Sequence, residues 1–138
     1  MKIRRYAAMV YAALTIMVVA FQIGLALGAP WGAYAMGGAF PGQFPPALRI
    51  SALVQAALLL AFAGIVLARA GIGLRRWARS SRWLVWLVVA FGALSLLLNL
   101  ITPSGGERMI WAPVALLLLV CSVLVATGAN HRAEQPGP

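Results

Sequence analysis

The chain has 138 residues, of which 63% are hydrophobic and only 9% are charged, and its formal net charge is +9. A soluble domain carries about 25% charged residues, so a soluble fold of this size could not cover so much apolar surface. The composition therefore predicts that lipid is the solvent for most of the chain.

Four apolar runs without a charged residue follow one another along the chain. They cover about residues 6–27, 50–68, 83–101 and 109–127, and each has close to the roughly 20 residues that a bilayer-crossing helix needs. Their Ala, Leu, Val and Ile residues do not alternate with polar ones, which favours helices over barrel strands. We predict an all-α membrane protein, a single domain built as a bundle of four transmembrane helices.

The first run follows the basic segment MKIRRY, as the apolar part of a signal peptide would. Its length of about 22 residues exceeds that of the apolar region of a usual signal peptide, so we expect a retained helix. Ala20, Gly24 and Gly28 recur every fourth position toward its end. We expect this row of small residues to let the backbone of a neighbouring helix approach closely.

A long segment, residues 28–49, joins the first and second runs. It is rich in glycine and proline, it contains Trp31 and Tyr34, and it carries no charge before Arg49. Long loops without regular structure are often binding loops or lids. Two interpretations stay open: aromatic anchors at the membrane interface, or a lid over the helix ends.

The basic residues fall almost entirely on one side of a four-span topology. Only Arg49 and Arg108 lie on the other side; the remaining nine are Lys2, Arg4, Arg5, Arg69, Arg75, Arg76, Arg79, Arg82 and Arg132. The positive-inside rule then predicts a plasma (inner) membrane protein whose termini, basic loop 69–82 and short tail 128–138 are cytoplasmic, with segment 28–49 facing outward. We expect the cytoplasmic arginines to contact anionic lipid headgroups, and no nucleic acid, since no nucleic-acid module fits in such a loop.

Polar residues inside the runs are few: Gln22, Ser51, Gln55, Ser95, Asn99 and Ser122. Under the predicted topology Gln22, Ser51, Gln55 and Asn99 lie in the outer halves of their helices. Such residues should face the bundle interior. They predict either hydrogen bonds between helices or a polar pocket that opens on the outer side.

The connection NLITPSGGERMIWAP holds Glu107, the one acidic residue before the tail. Ser104 and Glu107 match the capping box S-x-x-E, in which Ser104 bonds the Glu107 amide and the carboxylate returns to the Ser104 amide. The capping box explains Glu107 but not Arg108 and Arg49, which lie at predicted helix N-termini, where the macrodipole disfavours a cation. We expect a Glu107–Arg49 pair or a bound anion, and Pro113 inside the fourth helix as a kink.

Two stretches, LGAPWGAYAMGG and LNLITPSGGERMIWAPVALLLLV, carry a family resemblance. Through the patterns G-A-P-W-G and N-x-x-T-x-S-x-x-E-R-x-x-W-x-P, most of the chain resembles a family of small bacterial four-helix integral membrane proteins of unknown function. The resemblance implies this topology and a shared site but no chemistry. The matching residues are Pro30, Trp31, Gly32, Asn99, Ser104, Glu107, Arg108, Trp111 and Pro113.

Other four-span families fit less well. Gln22 lies where small multidrug exporters need a carboxylate, Cys121 is the single cysteine where quinone-linked thiol oxidoreductases need pairs, and the nine-to-two charge bias is unlike that of fluoride channels. No cluster of His, Cys or Asp is present to predict a metal, a cofactor or a catalytic triad.

We therefore expect a protein that binds a lipid, a small amphiphile or a partner helix in an outward-facing pocket. The residues proposed for this pocket are Trp31, Arg49, Gln55, Asn99, Glu107, Arg108 and Trp111. Two alternatives stay open: an oligomeric transporter or channel subunit, and a membrane enzyme that uses Glu107. A homo-oligomer or a partner membrane protein also remains open.

Overall fold

The computed structural model of the chain describes residues 2–73 and 75–128. Residues 129–138 of the predicted tail, including Arg132, lie outside this part, as does Leu74 of the predicted basic loop.

All four apolar runs are helices. They are α1 (Lys2–Ala26), α2 (Pro46–Arg69), α3 (Ala78–Ile101) and α4 (Gly105–Thr127). Each is long and apolar enough to cross a membrane, with a mean hydropathy of 2.1 to 2.6 over its most apolar 18 residues. Residues 2–73 and 75–128 contain no strand. The prediction of an all-helical chain with four helices long and apolar enough to span a membrane is confirmed for this part of the protein.

Every helix begins four or five residues before the apolar run that predicted it, at Lys2, Pro46, Ala78 and Gly105. Lys and Arg are good helix formers, so backbone hydrogen bonding continues through the basic residues that flank the apolar part. Pro46 suits the first turn of α2, where its missing N–H would have no partner in any case. Pro113 lies inside α4, as predicted.

The helices follow one another around the bundle in chain order. α1 packs against α2 and α4, and α3 packs closely against α4 but less extensively against α2. Gly92 faces α4 here, and a Cβ at this position would lie at an ordinary contact distance, 3.6 Å, from the Leu119 Cα. The seam between α2 and α3 is therefore the loosest between neighbouring helices.

The two ends of the bundle differ in character. The end where α1 and α3 begin is called the arginine end below, and the opposite end, covered by residues 27–45 and 102–104, is called the capped end. The half of the bundle toward the arginine end is filled by a cluster of buried side chains. Its members are Ala7, Ala8, Tyr11, Phe62, Ala63, Ile65, Val66, Val85, Val88, Cys121, Val125 and Ala126.

The row of small residues on α1 does not receive a neighbouring helix backbone, contrary to the prediction. A Cβ at Gly24 would lie 2.3 Å from Cζ3 of Trp31, so the indole ring occupies this position. Gly28, with φ of 99°, ends the helix in the left-handed conformation that glycine adopts without strain. The guanidinium group of Arg49 packs against it. The row accommodates two side chains that cover the end of α1.

Candidate functional site

Residues 27–45, called the cap segment below, fold back over the helix ends. They contain two short 3-10 helices, Gly32–Tyr34 and Met36–Gly38. Phe44 is buried with Leu25 and Ala52, which anchors the segment between α1 and α2. The ring of Trp31 stacks on Phe21 at a centroid distance of 5.8 Å. The segment thus covers the helix ends at this end of the bundle.

Two hydrogen bonds fasten the cap segment to the start of α4. The Ser104 hydroxyl donates to the Ala33 carbonyl at 2.9 Å. The indole Nε1 of Trp111 donates to the Tyr34 carbonyl, also at 2.9 Å. Gly106 makes room for this contact, because a Cβ there would lie 2.6 Å from the Tyr34 ring. The sequence from Ser104 to Glu107, which predicted the start of α4, therefore also contacts the cap segment.

Glu107 joins three parts of the capped end. One of its oxygens, Oε2, accepts hydrogen bonds from the Gly37 backbone N–H at 2.8 Å and from the Thr102 hydroxyl at 3.0 Å. The Ser104 hydroxyl accepts from the Glu107 amide at 3.2 Å, so the first half of the capping box is confirmed. The second half is wrong, because the Ser104 amide donates to Thr102 instead. The carboxylate holds the cap segment rather than its own helix.

The predicted Glu107–Arg49 pair is also wrong. Arg49 Nε donates to the Phe44 carbonyl at 2.8 Å, and Arg108 Nη2 donates to the Thr102 carbonyl. Thr102 is the C-cap residue of α3, where unpaired carbonyls and the macrodipole favour a cation. The guanidinium group of Arg49 lies beside Gly28 at the end of α1, although its hydrogen bond goes to Phe44 of the cap segment. Each arginine begins one helix and compensates the C-terminal end of its antiparallel neighbour.

A cavity of about 500 Å³ lies beneath the cap segment, inside the bundle. It reaches from Glu107 to Leu118 along α4, about 16 Å at 1.5 Å per residue. All four helices and the cap segment contribute to its wall. The lining residues are Tyr11, Val18, Phe21, Gln22, Tyr34, Ala35, Met36, Phe44, Leu48, Ser51, Ala52, Gln55, Leu58, Leu59, Phe62, Val88, Phe91, Gly92, Leu94, Ser95, Leu98, Asn99, Glu107, Trp111, Val114, Ala115 and Leu118.

The wall of the cavity changes from polar to apolar with depth. Its polar residues gather toward the capped end: Gln22, Ser51, Gln55, Ser95, Asn99 and Glu107. The deeper wall is aliphatic and aromatic, with the Tyr11 hydroxyl as the exception. Glu107 is the one charged side chain among the described residues that line it. The cavity is amphipathic along its length.

The polar residues are only partly occupied with one another. Gln22 Nε2 donates to Gln55 Oε1 at 3.0 Å, which confirms the expected bond between helices. Asn99 instead donates to the Ser95 carbonyl of its own helix at 2.7 Å. These bonds leave the Gln55 amide nitrogen and the Asn99 amide oxygen for another partner within the cavity.

Four of the seven residues predicted for the pocket line this cavity, namely Gln55, Asn99, Glu107 and Trp111. Trp31 instead lines a separate apolar groove of about 420 Å³ between α1 and α4. Arg49 and Arg108 bind backbone carbonyls outside the cavity wall.

Several lining residues were not predicted as site residues. Gln22 and Ser51 were noted only as polar residues in apolar runs, and their position in the outer halves of the helices was the available signal. Thr15, which is buried outside this lining, has a hydroxyl with no hydrogen-bond partner among the described residues. No sequence pattern distinguished Met36 or Phe44 from the other residues of the segment.

Comparison with models of protein families, with curated proteins and with solved structures finds no match to this chain. The function is therefore inferred from the geometry of the site.

Proposed function

We propose that this protein binds a membrane lipid or another amphiphile in the cavity beneath the cap segment. The observation that carries the proposal is the amphipathic cavity itself, about 500 Å³ in volume, with a polar wall at the capped end and an apolar wall below. Small-molecule sites are typically cavities of about 300–1,000 Å³, mostly apolar with a few polar groups that fix orientation. A headgroup would lie at the polar end and a hydrocarbon chain in the apolar depth.

The charge of the wall favours a neutral or cationic headgroup. Glu107 contributes the one charge among the described lining residues, and Oε2 alone carries its two hydrogen bonds to the protein. The arginines that suggested an anionic ligand are occupied by carbonyls. An ammonium headgroup would therefore pair with the Glu107 carboxylate and the Asn99 amide oxygen, and a hydroxyl headgroup would also accept from the Gln55 amide nitrogen.

The seam between α2 and α3 would admit the chain from the bilayer. Leu58, Phe91, Leu94 and Leu98 line the cavity and yet are 42% to 54% exposed. Large apolar side chains with this exposure lie at an opening, and α2 and α3 pack less extensively than the other neighbours. Lateral entry keeps the hydrocarbon in an apolar environment throughout.

The cap segment would act as the lid of this site. Met36 lines the cavity and has φ of 50°, a left-handed conformation that L-residues rarely adopt. Such strain persists where surrounding contacts fix the backbone, and it gathers at ligand clamps. The adjacent Gly37 amide is held by Glu107. A ligand at the polar end would touch the lid and the residue that fastens it.

A channel or transporter is supported less well. The cavity ends near Tyr11 and Phe62, and the cluster of buried, mainly apolar side chains fills the half of the bundle beyond it. A polar cargo would need polar groups along that half. An enzyme that uses Glu107 is also less well supported, because its bonds to Gly37 and Thr102 give the carboxylate a structural role.

The proposed membrane placement follows from charge. The arginine end carries Arg4, Arg69 and Arg82, and the capped end carries Arg49 and Arg108. The positive-inside rule then gives a plasma (inner) membrane protein with the capped end outward. The site would face the outer leaflet.

A pair of matched substitutions on α4 tests the proposal. Val114 lines the cavity, whereas Val120 lies on the same helix with 46% exposure and outside the lining. Val114→Trp should fill the cavity and weaken lipid binding at least about tenfold, and Val120→Trp should leave it unchanged. Native mass spectrometry of the detergent-purified protein with phosphatidylethanolamine and lysophosphatidylethanolamine measures the affinities.

Circular dichroism shows whether Val114→Trp keeps its helix content. Equal affinities for both tryptophan variants with intact helices would contradict lipid binding in this cavity. As a substitution without added volume, Asn99→Ala should reduce the preference for an amine headgroup over phosphatidylcholine.

A further inference from the structure

Three arginines from three different helices meet at the arginine end of the bundle. Arg4 lies in the first turn of α1, Arg69 is the last residue of α2 and Arg82 lies in the second turn of α3. The charges of Arg4 and Arg69 are close enough to repel each other, and so are those of Arg69 and Arg82. The fold thus brings like charges together where the helices end.

Arg4 is fixed in this position by the end of α4. Its Nε donates to the Val125 carbonyl at 3.2 Å. Its aliphatic part packs on Gly128, where a Cβ would lie 3.6 Å from Cβ and Cδ of Arg4. A cation near a helix C-terminus is favoured by the macrodipole. The guanidinium group is therefore oriented by the protein rather than free to turn toward solvent.

Two guanidinium nitrogens at this end are buried without a hydrogen-bond partner among the described residues. They are Nη2 of Arg4 and Nε of Arg69. Arginine stays charged in proteins, and a buried N–H of a charged group without an acceptor is costly. Glu107 is the one carboxylate of residues 2–73 and 75–128, and it binds Gly37 at the capped end. The acceptor that these nitrogens lack would come from an anion.

The start of α3 adds backbone N–H donors, which favour an anion as the arginines do. Its N-cap residue, Trp77, makes no side-chain hydrogen bond to the helix, and the first turn contains no acidic residue. The first N–H groups of a helix attract anions when no side chain caps them. Arg82 lies one turn further along the same helix.

We propose that Arg4, Arg69 and Arg82, together with the first turn of α3, form a binding site for a phosphate group. Arginine matches phosphate oxygens with paired N–H donors and is the side chain that favours this recognition. A lipid phosphodiester and a free phosphate ion offer the same chemistry. The site is separate from the cavity at the capped end and opposite in charge. The sequence predicted that cytoplasmic arginines contact anionic headgroups, and the proposed site assigns this contact to three of them.

The test compares two arginines of the same end. Arg69→Gln removes a buried donor, whereas Arg5→Gln removes an equal charge from an exposed residue of α1 that is not part of the proposed site. The full chain in detergent is titrated with phosphatidylglycerol, phosphatidylcholine or inorganic phosphate and followed by native mass spectrometry and thermal unfolding. Arg69→Gln should weaken phosphatidylglycerol binding about tenfold or more, and Arg5→Gln by less than about twofold.

The inorganic phosphate arm identifies the source of the ligand. Protection by phosphatidylglycerol alone points to a lipid headgroup, and protection by phosphate alone points to a free ion; both support a phosphate site. Equal losses in the two glutamine variants would show diffuse attraction to charge and overturn the proposal.

Binding to the cavity and binding to this site are distinguished by one further variant. Val114→Trp should leave phosphatidylglycerol binding at the arginines intact, because Val114 lines the cavity on the other side of the buried cluster. Glu134 of the tail is the one other carboxylate of the chain. If phosphatidylglycerol bound only after Glu134→Gln, the tail would be the natural counterion and the proposal would fail.

Discussion

Glu107→Gln separates the charge of this residue from its shape. Its Oε2 accepts two hydrogen bonds, at 2.8 Å from Gly37 and at 3.0 Å from Thr102, and glutamine can offer a neutral oxygen in the same place. Hydrogen bonds to charged groups contribute about 1.5–3 kcal/mol and neutral ones about 0.5–1.5 kcal/mol. The substitution should therefore weaken each bond by about 1 kcal/mol. Only the bond to Gly37 attaches the cap segment, because Thr102 lies outside residues 27–45.

Hydrogen exchange of the Gly37 amide measures this loss directly. A weakening of about 1 kcal/mol corresponds to roughly fivefold faster exchange if the amide exchanges through opening of the cap segment. Glu134→Gln is the matched control, since it makes the same charge change at the one other acidic residue. Unchanged exchange at Gly37 in Glu107→Gln, or equal acceleration in the control, would refute the role assigned to Glu107.

Two further predictions concern the attachment of the cap segment. Gly106→Ala should displace the Tyr34 ring, which lies 2.6 Å from the place that the added Cβ would take, and lower the thermal unfolding midpoint; Gly105→Ala has open space there and should raise helix stability by up to about 1 kcal/mol. Similar midpoints in the two alanine variants would be evidence against this contact. Trp111→Phe removes the donor to the Tyr34 carbonyl and should destabilise the attachment by about 1 kcal/mol, seen as faster exchange of the nearby amides; equal exchange before and after the substitution would show that this bond contributes nothing.

The hydrogen-bond partners of the two arginines at the capped end could not be predicted from the sequence. Arg49 and Arg108 stand at the starts of α2 and α4, so the macrodipole of their own helices is unfavourable. From the sequence alone, we therefore expected a carboxylate or a bound anion as the partner of these arginines. In the fold, antiparallel neighbours place the C-terminal ends of α1 and α3 beside them, and backbone carbonyls accept their hydrogen bonds. The partner of Arg108 is therefore the end of a neighbouring helix, and the partner of Arg49 is the Phe44 carbonyl of the cap segment.

For a similar reason, only one of the two hydrogen bonds of the capping box was predicted correctly from the sequence. Ser104 caps α4 as its local spacing predicted, because the bond to Glu107 joins residues three positions apart. The carboxylate of Glu107 bonds Gly37, which is 70 residues away in the chain. Local patterns predict local hydrogen bonds, and a bond across the loop needs the folded chain.

The apolar runs, their helical form and their number were determined by the sequence, because every backbone group in lipid must be bonded within its own segment. The same holds for Pro113 inside α4 and for the bond between Gln22 and Gln55, which apolar surroundings demand. Only the tertiary structure decided that residues 27–45 close one end, that α2 and α3 stay apart over a cavity of about 500 Å³, and that Arg4 and Arg69 meet. Lipid gives no hydrophobic force between helices, so the shape of side chains in contact sets which seams close.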